Sequence, residues 1–159
     1  MRLRILTLIL LVTAVSGFFA PGARAGVFDE TRSKLLGTWV WDEGEGVSRA
    51  VTTYSFSGDG TFTRKFERPA GMQEKENKTI SGVWRLETVD KGLKSLLQDP
   101  SKLVLEYKSA DAGLSASAVI TETYLVAISN DQMFGGKETL RLIPPDGSLV
   151  GTQYLFRAQ

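Results

Sequence analysis

Hydrophobic and polar residues alternate along most of the chain after Gly37, which is the pattern of strands with one buried face. No long stretch carries the helical period. Residues 28–36 are predicted to form one or two helical turns capped by Asp29, and residues 90–98 are the best other helix candidate. Turn residues divide the alternating pattern into eight predicted strands, at 38–43, 48–57, 61–68, 78–88, 102–109, 118–129, 137–143 and 149–157.

Two turn sequences indicate that neighbouring strands pair as a meander. A three-residue loop at 58–60, with Gly60 in the left-handed conformation, pairs Phe56 with Phe62 on one face. A two-residue loop would place these rings on opposite faces, so we prefer the three-residue loop. Residues 144–147, Pro-Pro-Asp-Gly, predict a second tight reversal.

Alternate residues of each run form a candidate interior of large apolar side chains. Short antiparallel strands with one polar face must bury the other face and their edges, and closure into a barrel does both. We therefore predict an all-β fold, an eight-stranded antiparallel up-and-down β-barrel with a short N-terminal helical turn. Such an interior holds side chains or one small ligand. The predicted interior residues are Trp39, Trp41, Tyr54, Phe56, Phe62, Phe66, Ile80, Trp84, Leu86, Leu103, Leu105, Tyr107, Ile120, Tyr124, Val126, Ile128, Leu140, Leu142, Val150, Tyr154 and Phe156.

The first 25 residues have the order of a cleaved secretory signal. Arg2 and Arg4 precede an uncharged, mostly aliphatic stretch at 5–20, and the small-x-small motif 23–25 follows a helix break. A membrane anchor is the alternative, but the stretch is shorter than the roughly 20 residues that span a bilayer. We expect a single mature domain at 26–159. It would be periplasmic or secreted, with no transmembrane segment and, lacking cysteine, no lipid anchor.

The composition excludes whole classes of chemistry. The chain has no cysteine and no histidine, which excludes disulfide scaffolds, Cys/His zinc sites, haem on histidine or thiolate, and Ser-His-Asp or Cys-His catalysis. The 19 basic and 18 acidic side chains nearly cancel, so no nucleic-acid partner is expected. The three carboxylates at 42–45 lack the spacing of a calcium loop. We expect no metal and no cofactor.

The most informative polar residue is Glu122, which has the interior parity of its strand. A buried carboxylate needs a partner, and Arg64 has interior parity on another strand. The pair could anchor a ligand headgroup in an aromatic pocket that opens between loops 69–77 and 110–117. The alternatives are a structural ion pair, or a register that turns Glu122 outward. The predicted ligand-binding residues are Tyr54, Arg64, Phe66, Ile80, Trp84, Tyr107, Glu122 and Tyr124.

Several short motifs resemble those of lipocalins. Gly-Thr-Trp at 37–39, after a helical entry, resembles the lipocalin Gly-x-Trp signature. Residues 53–62 and 81–84 resemble the second hairpin and the fourth strand of bacterial lipocalin-like domains. The resemblance implies a calycin-type barrel in which Trp39 plugs one end and Arg157 stacks on it. The usual inter-strand disulfide of lipocalins is impossible in this chain, since it has no cysteine.

Three functional hypotheses remain open at this point. The first is an exported protein that binds a small apolar or amphipathic ligand in the barrel. The second is a periplasmic protein-binding or inhibitor module without a ligand cavity, which uses loop or strand-edge surfaces, for instance at Met72 or Leu114. The third is an enzyme that relies on Glu122, Arg64 and Tyr124. We favour the first, and expect that the protein is not an enzyme.

Overall fold

Eight antiparallel strands, each paired with the next along the chain, form a closed barrel in which the last strand pairs back with the first. The computed structural model describes residues 25–43, 50–68, 78–89, 101–109, 112–113 and 118–158. A helix and a one-turn 3-10 helix accompany the strands: α1 (Ala25–Leu35) and the 3-10 helix (Gln132–Phe134). The strands are β1 (Gly37–Glu43), β2 (Ala50–Phe56), β3 (Thr61–Glu67), β4 (Lys78–Thr88), β5 (Ser101–Lys108), β6 (Val119–Asp131), β7 (Lys137–Ile143) and β8 (Gln153–Arg157).

The predicted all-β barrel with a short N-terminal helix is confirmed. The prediction that Asp29 caps the helix is wrong, because α1 begins at Ala25 and the chain is already helical when it reaches Asp29. Apart from Ala25, the predicted signal peptide at 1–25 lies outside the described residues. The helix candidate at 90–98 and the loop at 69–77 also lie outside them.

The turn between β2 and β3 sets the register of these two strands. Gly60 has φ +86°, a left-handed conformation that glycine adopts without steric cost. Phe56 consequently pairs with Phe62, and Tyr54 pairs with Arg64. The three-residue loop is therefore confirmed, and it places all four side chains on the interior face.

One end of the barrel is closed by Trp39, whose indole Nε1 donates a 2.8 Å hydrogen bond to the main-chain oxygen of Leu35. The guanidinium of Arg157 lies 4.1 Å from the Trp39 ring centroid and donates to the oxygen of Leu36 at 2.6 Å. A Cβ at Gly37 would lie 3.0 Å from Arg157 Nη1, so glycine leaves room for this contact. The predicted stacking is confirmed, and we call Trp39, Arg157 and the end of α1 the floor.

The interior face of β8 differs from the prediction. Leu155 is the buried interior residue, whereas Tyr154 and Phe156 lie outside and Val150 is 87% exposed. The outer rings pack against Phe134 of the 3-10 helix, at centroid distances of 5.5 and 5.1 Å. The prediction failed because β8 carries large apolar residues on both faces, so alternation alone does not identify the interior one.

The barrel wall is shorter along β7 and β8 than elsewhere. β6 pairs with β7 only from Leu125 onward, because Leu125 pairs with Ile143 and the next residue, Pro144, has no main-chain N–H. Among the described residues, segment 119–124 of β6 therefore pairs with β5 alone; we call it the β6 edge. β8 likewise pairs with only two residues of β1. The paired part of the wall is therefore shortest on this side, toward the end opposite the floor.

Candidate functional site

The interior between the floor and the middle of the barrel is packed by large apolar side chains. Trp84, one of the predicted site residues, belongs to this region. Its Nε1 donates to the main-chain oxygen of Ser57 at 3.1 Å, and the Arg32 guanidinium lies 4.8 Å from its ring centroid. Trp84 thus lies on the floor side. The packed residues, each exposed by 4% or less, are Leu35, Trp39, Phe56, Phe62, Trp84, Leu103, Leu105, Leu140, Leu142 and Leu155.

An arginine–glutamate pair crosses the interior above these packed residues. Arg64 on β3 donates to both carboxylate oxygens of Glu122 on β6, from Nη1 at 2.7 Å and from Nη2 at 3.0 Å. This bidentate geometry is the strongest form of arginine–carboxylate contact. The predicted pairing of these two residues is confirmed, and the alternative in which Glu122 faces outward is wrong.

Two tyrosine hydroxyls also donate to the Glu122 carboxylate. Tyr107 donates to Oε1, and Tyr124 donates to Oε2 at 3.0 Å. Arg64 Nη2 in turn donates to the Tyr107 hydroxyl at 3.3 Å. Each carboxylate oxygen therefore accepts two hydrogen bonds, which satisfies the buried charge. Sequence reasoning had placed these tyrosines in the lining without finding that their hydroxyls bind the carboxylate.

A third tyrosine connects the pair to β8. Tyr54 donates to Oε1 of Gln153 at 3.2 Å and accepts from Arg64 Nη1 at 3.5 Å. Gln153 was missed because the interior face of β8 was assigned wrongly. The position of Arg157 on Trp39 is the signal that could have found it, since residues 153 and 157 share a face. The interior polar cluster consists of Tyr54, Arg64, Tyr107, Glu122, Tyr124 and Gln153.

Strand register brings these side chains together. Tyr54 and Arg64 are direct partners in the β2–β3 ladder. Tyr107 and Glu122 are diagonal neighbours on β5 and β6, within reach of long side chains. Tyr124 follows Glu122 by two residues and therefore shares its face. The cluster is a consequence of the alternation and the hairpin turns, with no irregular backbone.

The electrostatics of the cluster keep the pair ionised. Burial raises the pKa of Glu122, but the hydrogen bonds from Arg64 and Tyr107 outweigh it and leave that pKa below its ordinary value. Burial raises the pKa of Tyr54 and of Tyr124, so these hydroxyls stay protonated at neutral pH. The side chains of Arg64 and Glu122 are 16% and 23% exposed, so the pair lies between the packed region and solvent.

Beyond the cluster, toward the end opposite the floor, interior positions are again apolar. Ile80 is buried, and Phe66 and Ile120 are half-buried. Trp41 is half-buried and packs against the core. We call the region lined by these four residues the upper interior. The loops predicted to form its mouth lie outside the described residues, except for residues 112–113, where the ammonium of Lys78 donates to a main-chain oxygen.

Two further features concern the part of the chain that the structure describes. It holds no group of three acidic side chains placed to bind a metal ion. Among the same residues, no helix is both long and apolar enough to cross a membrane.

Comparison of the chain with protein-family models, with curated proteins and with solved structures finds no match. The lipocalin-like family therefore stays an interpretation based on short motifs. The barrel topology does not depend on it, because the ladders themselves close the sheet.

Proposed function

We propose that the protein is exported, is lipocalin-like, and binds a small apolar or amphipathic molecule in the upper interior. The polar end of that molecule would contact the interior polar cluster. The observation that carries the proposal is the position of the Arg64–Glu122 pair, at the boundary between the packed region and solvent.

The placement of charge within the barrel supports this proposal. An ion pair inside a protein loses hydration, and apolar side chains of similar volume are often as good for stability. The packed region above the floor uses such apolar residues, whereas the Arg64–Glu122 pair lies above that region. Apolar side chains that surround a few convergent polar groups are typical of small-molecule sites. Phe66, Ile80 and Ile120 provide the apolar part.

The shortened wall provides a second line of support. Glu122 and Tyr124 lie on the β6 edge, where the barrel wall has no β7 partner among the described residues. A molecule that enters past this edge would reach the cluster without disturbing the floor. The route by which the ligand enters and the polar side chains that bind it would then lie on the same strand, β6.

The proposal is tested by binding of Nile red, an uncharged amphipathic dye, measured by fluorescence. Saturable binding is expected for the wild-type protein. Ile120→Trp, which fills the upper interior, should weaken it by about tenfold or more. The matched control is Thr121→Trp, which adds the same bulk to the exposed outer face of β6 and should leave affinity unchanged.

The proposal fails if the wild-type protein does not bind the dye saturably, or if both tryptophan variants bind it equally well. Native mass spectrometry of the purified protein adds an independent readout, because a tightly held ligand would appear as a constant mass increment.

A protein-binding module remains the second candidate, and two features favour it. Leu149 and Val150 are 78% and 87% exposed in the turn before β8. Among the residues that the structure describes, the β6 edge has a strand partner on one side only, so an extended segment of a protein partner could add to the other side. This candidate predicts a partner that wild-type protein captures from an extract of the source organism and that a Leu149→Asp, Val150→Asp variant loses. Capture of the same set by both proteins, or of none, would exclude it.

A further inference from the structure

Resting on the proposed function, we infer that the ligand has an uncharged polar end, such as the hydroxyl of a long-chain alcohol, rather than a carboxylate or an ammonium group. The inference follows from how completely the interior polar cluster satisfies its own charges.

An anionic headgroup would find no uncompensated positive charge in the cluster. Both terminal nitrogens of Arg64 already donate to Glu122, at 2.7 and 3.0 Å. A ligand carboxylate close enough to contact Arg64 would also lie close to Glu122, and like-charge repulsion would offset the attraction. The site therefore differs from one in which an unpaired arginine binds the carboxylate of a fatty acid.

A cationic headgroup would find no available carboxylate oxygen in the interior polar cluster. Oε1 of Glu122 accepts from Arg64 and Tyr107, and Oε2 accepts from Arg64 and Tyr124. A carboxylate offers about four lone-pair positions, and these bonds use all of them. An ammonium group would have to displace one of these donors.

The Tyr124 hydroxyl and the Gln153 amide offer an uncharged acceptor and an uncharged donor. The Tyr124 hydroxyl gives its hydrogen to Glu122, which leaves its oxygen able to accept. Gln153 accepts from Tyr54 through Oε1, and its amide N–H groups have no acceptor among the described residues. A hydroxyl group, which both donates and accepts, matches this pair.

The test compares three probes with the same ten-carbon tail: decan-1-ol, decanoate and decyltrimethylammonium. Each displaces Nile red at about pH 8, where decanoate is ionised. Wild-type protein should bind decanol about tenfold more tightly than either charged probe. Glu122→Gln removes the negative charge and leaves Arg64 uncompensated, so its affinity for decanoate should rise by more than about tenfold and overtake that for decanol.

The matched control is Glu106→Gln. Glu106 pairs with Arg85 at 2.5 Å on the outer face of the barrel, so its loss removes an equal charge outside the interior. This variant should keep the wild-type order of affinities. If Glu122→Gln does not fold, the order of wild-type affinities for the three probes still tests whether the ligand has an uncharged polar end.

The possible outcomes separate the two proposals. Tighter binding of decanoate or decyltrimethylammonium than of decanol by wild-type protein would overturn the inference and leave small-molecule binding intact. Glu122→Gln with an unchanged order of affinities would also overturn it. If neither Nile red nor any of the probes binds, small-molecule binding and the inference fail together.

Discussion

Two arginines, Arg157 at the floor and Arg64 in the interior polar cluster, each pair with a glutamate and stack on an aromatic ring, yet their remaining partners differ. Arg157 donates from Nε to Glu138 at 2.7 Å. It also lies 4.1 Å from the Trp39 ring centroid and donates to two main-chain oxygens at the end of α1, both at 2.6 Å. Arg64 lies 5.3 Å from the Tyr107 ring centroid, and its hydrogen-bond partners among the described residues are all side chains.

This difference separates a structural role from a candidate binding role. A main-chain carbonyl in a helix end cannot rotate away, so the bonds of Arg157 fix α1 to the barrel. Hydroxyl and carboxylate partners can rotate and exchange, so the surroundings of Arg64 can adapt to a ligand. The two arginines should therefore respond differently to the same kind of substitution.

The largest effect is expected at the floor. Arg157→Met removes the donors to both main-chain oxygens and the contact with Trp39, so the free energy of unfolding should fall by about 2–4 kcal/mol. Adding Glu138→Leu should recover little of this loss, because the carbonyls stay without their donor. Denaturant unfolding measures both variants. Full recovery in the double variant would show that only the ion pair mattered.

In the interior polar cluster, the first substitution should lower the free energy of unfolding by less than at the floor, and the second substitution should reverse that loss. Arg64→Met leaves the Glu122 carboxylate without its cation, and the free energy of unfolding should fall by about 1–3 kcal/mol. Adding Glu122→Leu removes the uncompensated charge and should restore it to within about 1 kcal/mol of wild type. If the double variant is as unstable as Arg64→Met, Arg64 has a structural role like that of Arg157, and the proposed difference between the two arginines is wrong.

The pH dependence of stability should also distinguish the two glutamates. Hydrogen bonding to arginine lowers the pKa of Glu138 and, against the effect of burial, that of Glu122 below the ordinary 4.5. The unfolded chain then binds protons at higher pH than the folded one. The contribution of each group is therefore full above about pH 4.5 and is lost as the pH falls through the folded-state pKa.

Stability measured by denaturant unfolding between about pH 3 and 7 gives the readout. Glu122→Gln should flatten the acid loss of stability more than Glu138→Gln, because Glu122 is the less exposed of the two. If the free energy of unfolding of Glu122→Gln falls with decreasing pH as steeply as that of wild type, Glu122 is not ionised in the folded protein as described.

The smallest effect is expected for a single hydroxyl. Tyr124→Phe removes one of four donors to Glu122 and should lower the free energy of unfolding by about 0.5–1.5 kcal/mol. A double-mutant cycle with Glu122→Gln isolates this bond, and the coupling should be of similar size. Zero coupling would show that Tyr124 does not depend on the carboxylate.

The sequence was most informative where a local rule fixes the register. The glycines of the β2–β3 turn place Tyr54 beside Arg64, and alternation along β6 turns Glu122 toward the interior. Together these two facts predict the ion pair without any knowledge of contacts. Trp39 and Arg157 were also predictable, through the resemblance of short motifs to lipocalins.

The features that the sequence did not predict depend on neighbours distant in the chain. The interior face of β8 was misassigned because Phe134, from another segment, covers the outer rings of Tyr154 and Phe156. Gln153 was lost from the site for the same reason. The shortened wall follows from Pro144 only once its position opposite β6 is known.

The central claim, that a ligand occupies the upper interior and leaves the floor undisturbed, is tested most directly by the indole N–H signals of the protein's three tryptophans. Trp41 lines the upper interior, whereas Trp39 and Trp84 donate their indole N–H to main-chain oxygens on the floor side. In a titration of ¹⁵N-labelled protein with decan-1-ol, we predict that the Trp41 signal shifts saturably and the other two stay in place. The account would be contradicted if the Trp39 and Trp84 signals shifted while the Trp41 signal stayed in place. It would also be contradicted if none of the three signals shifted.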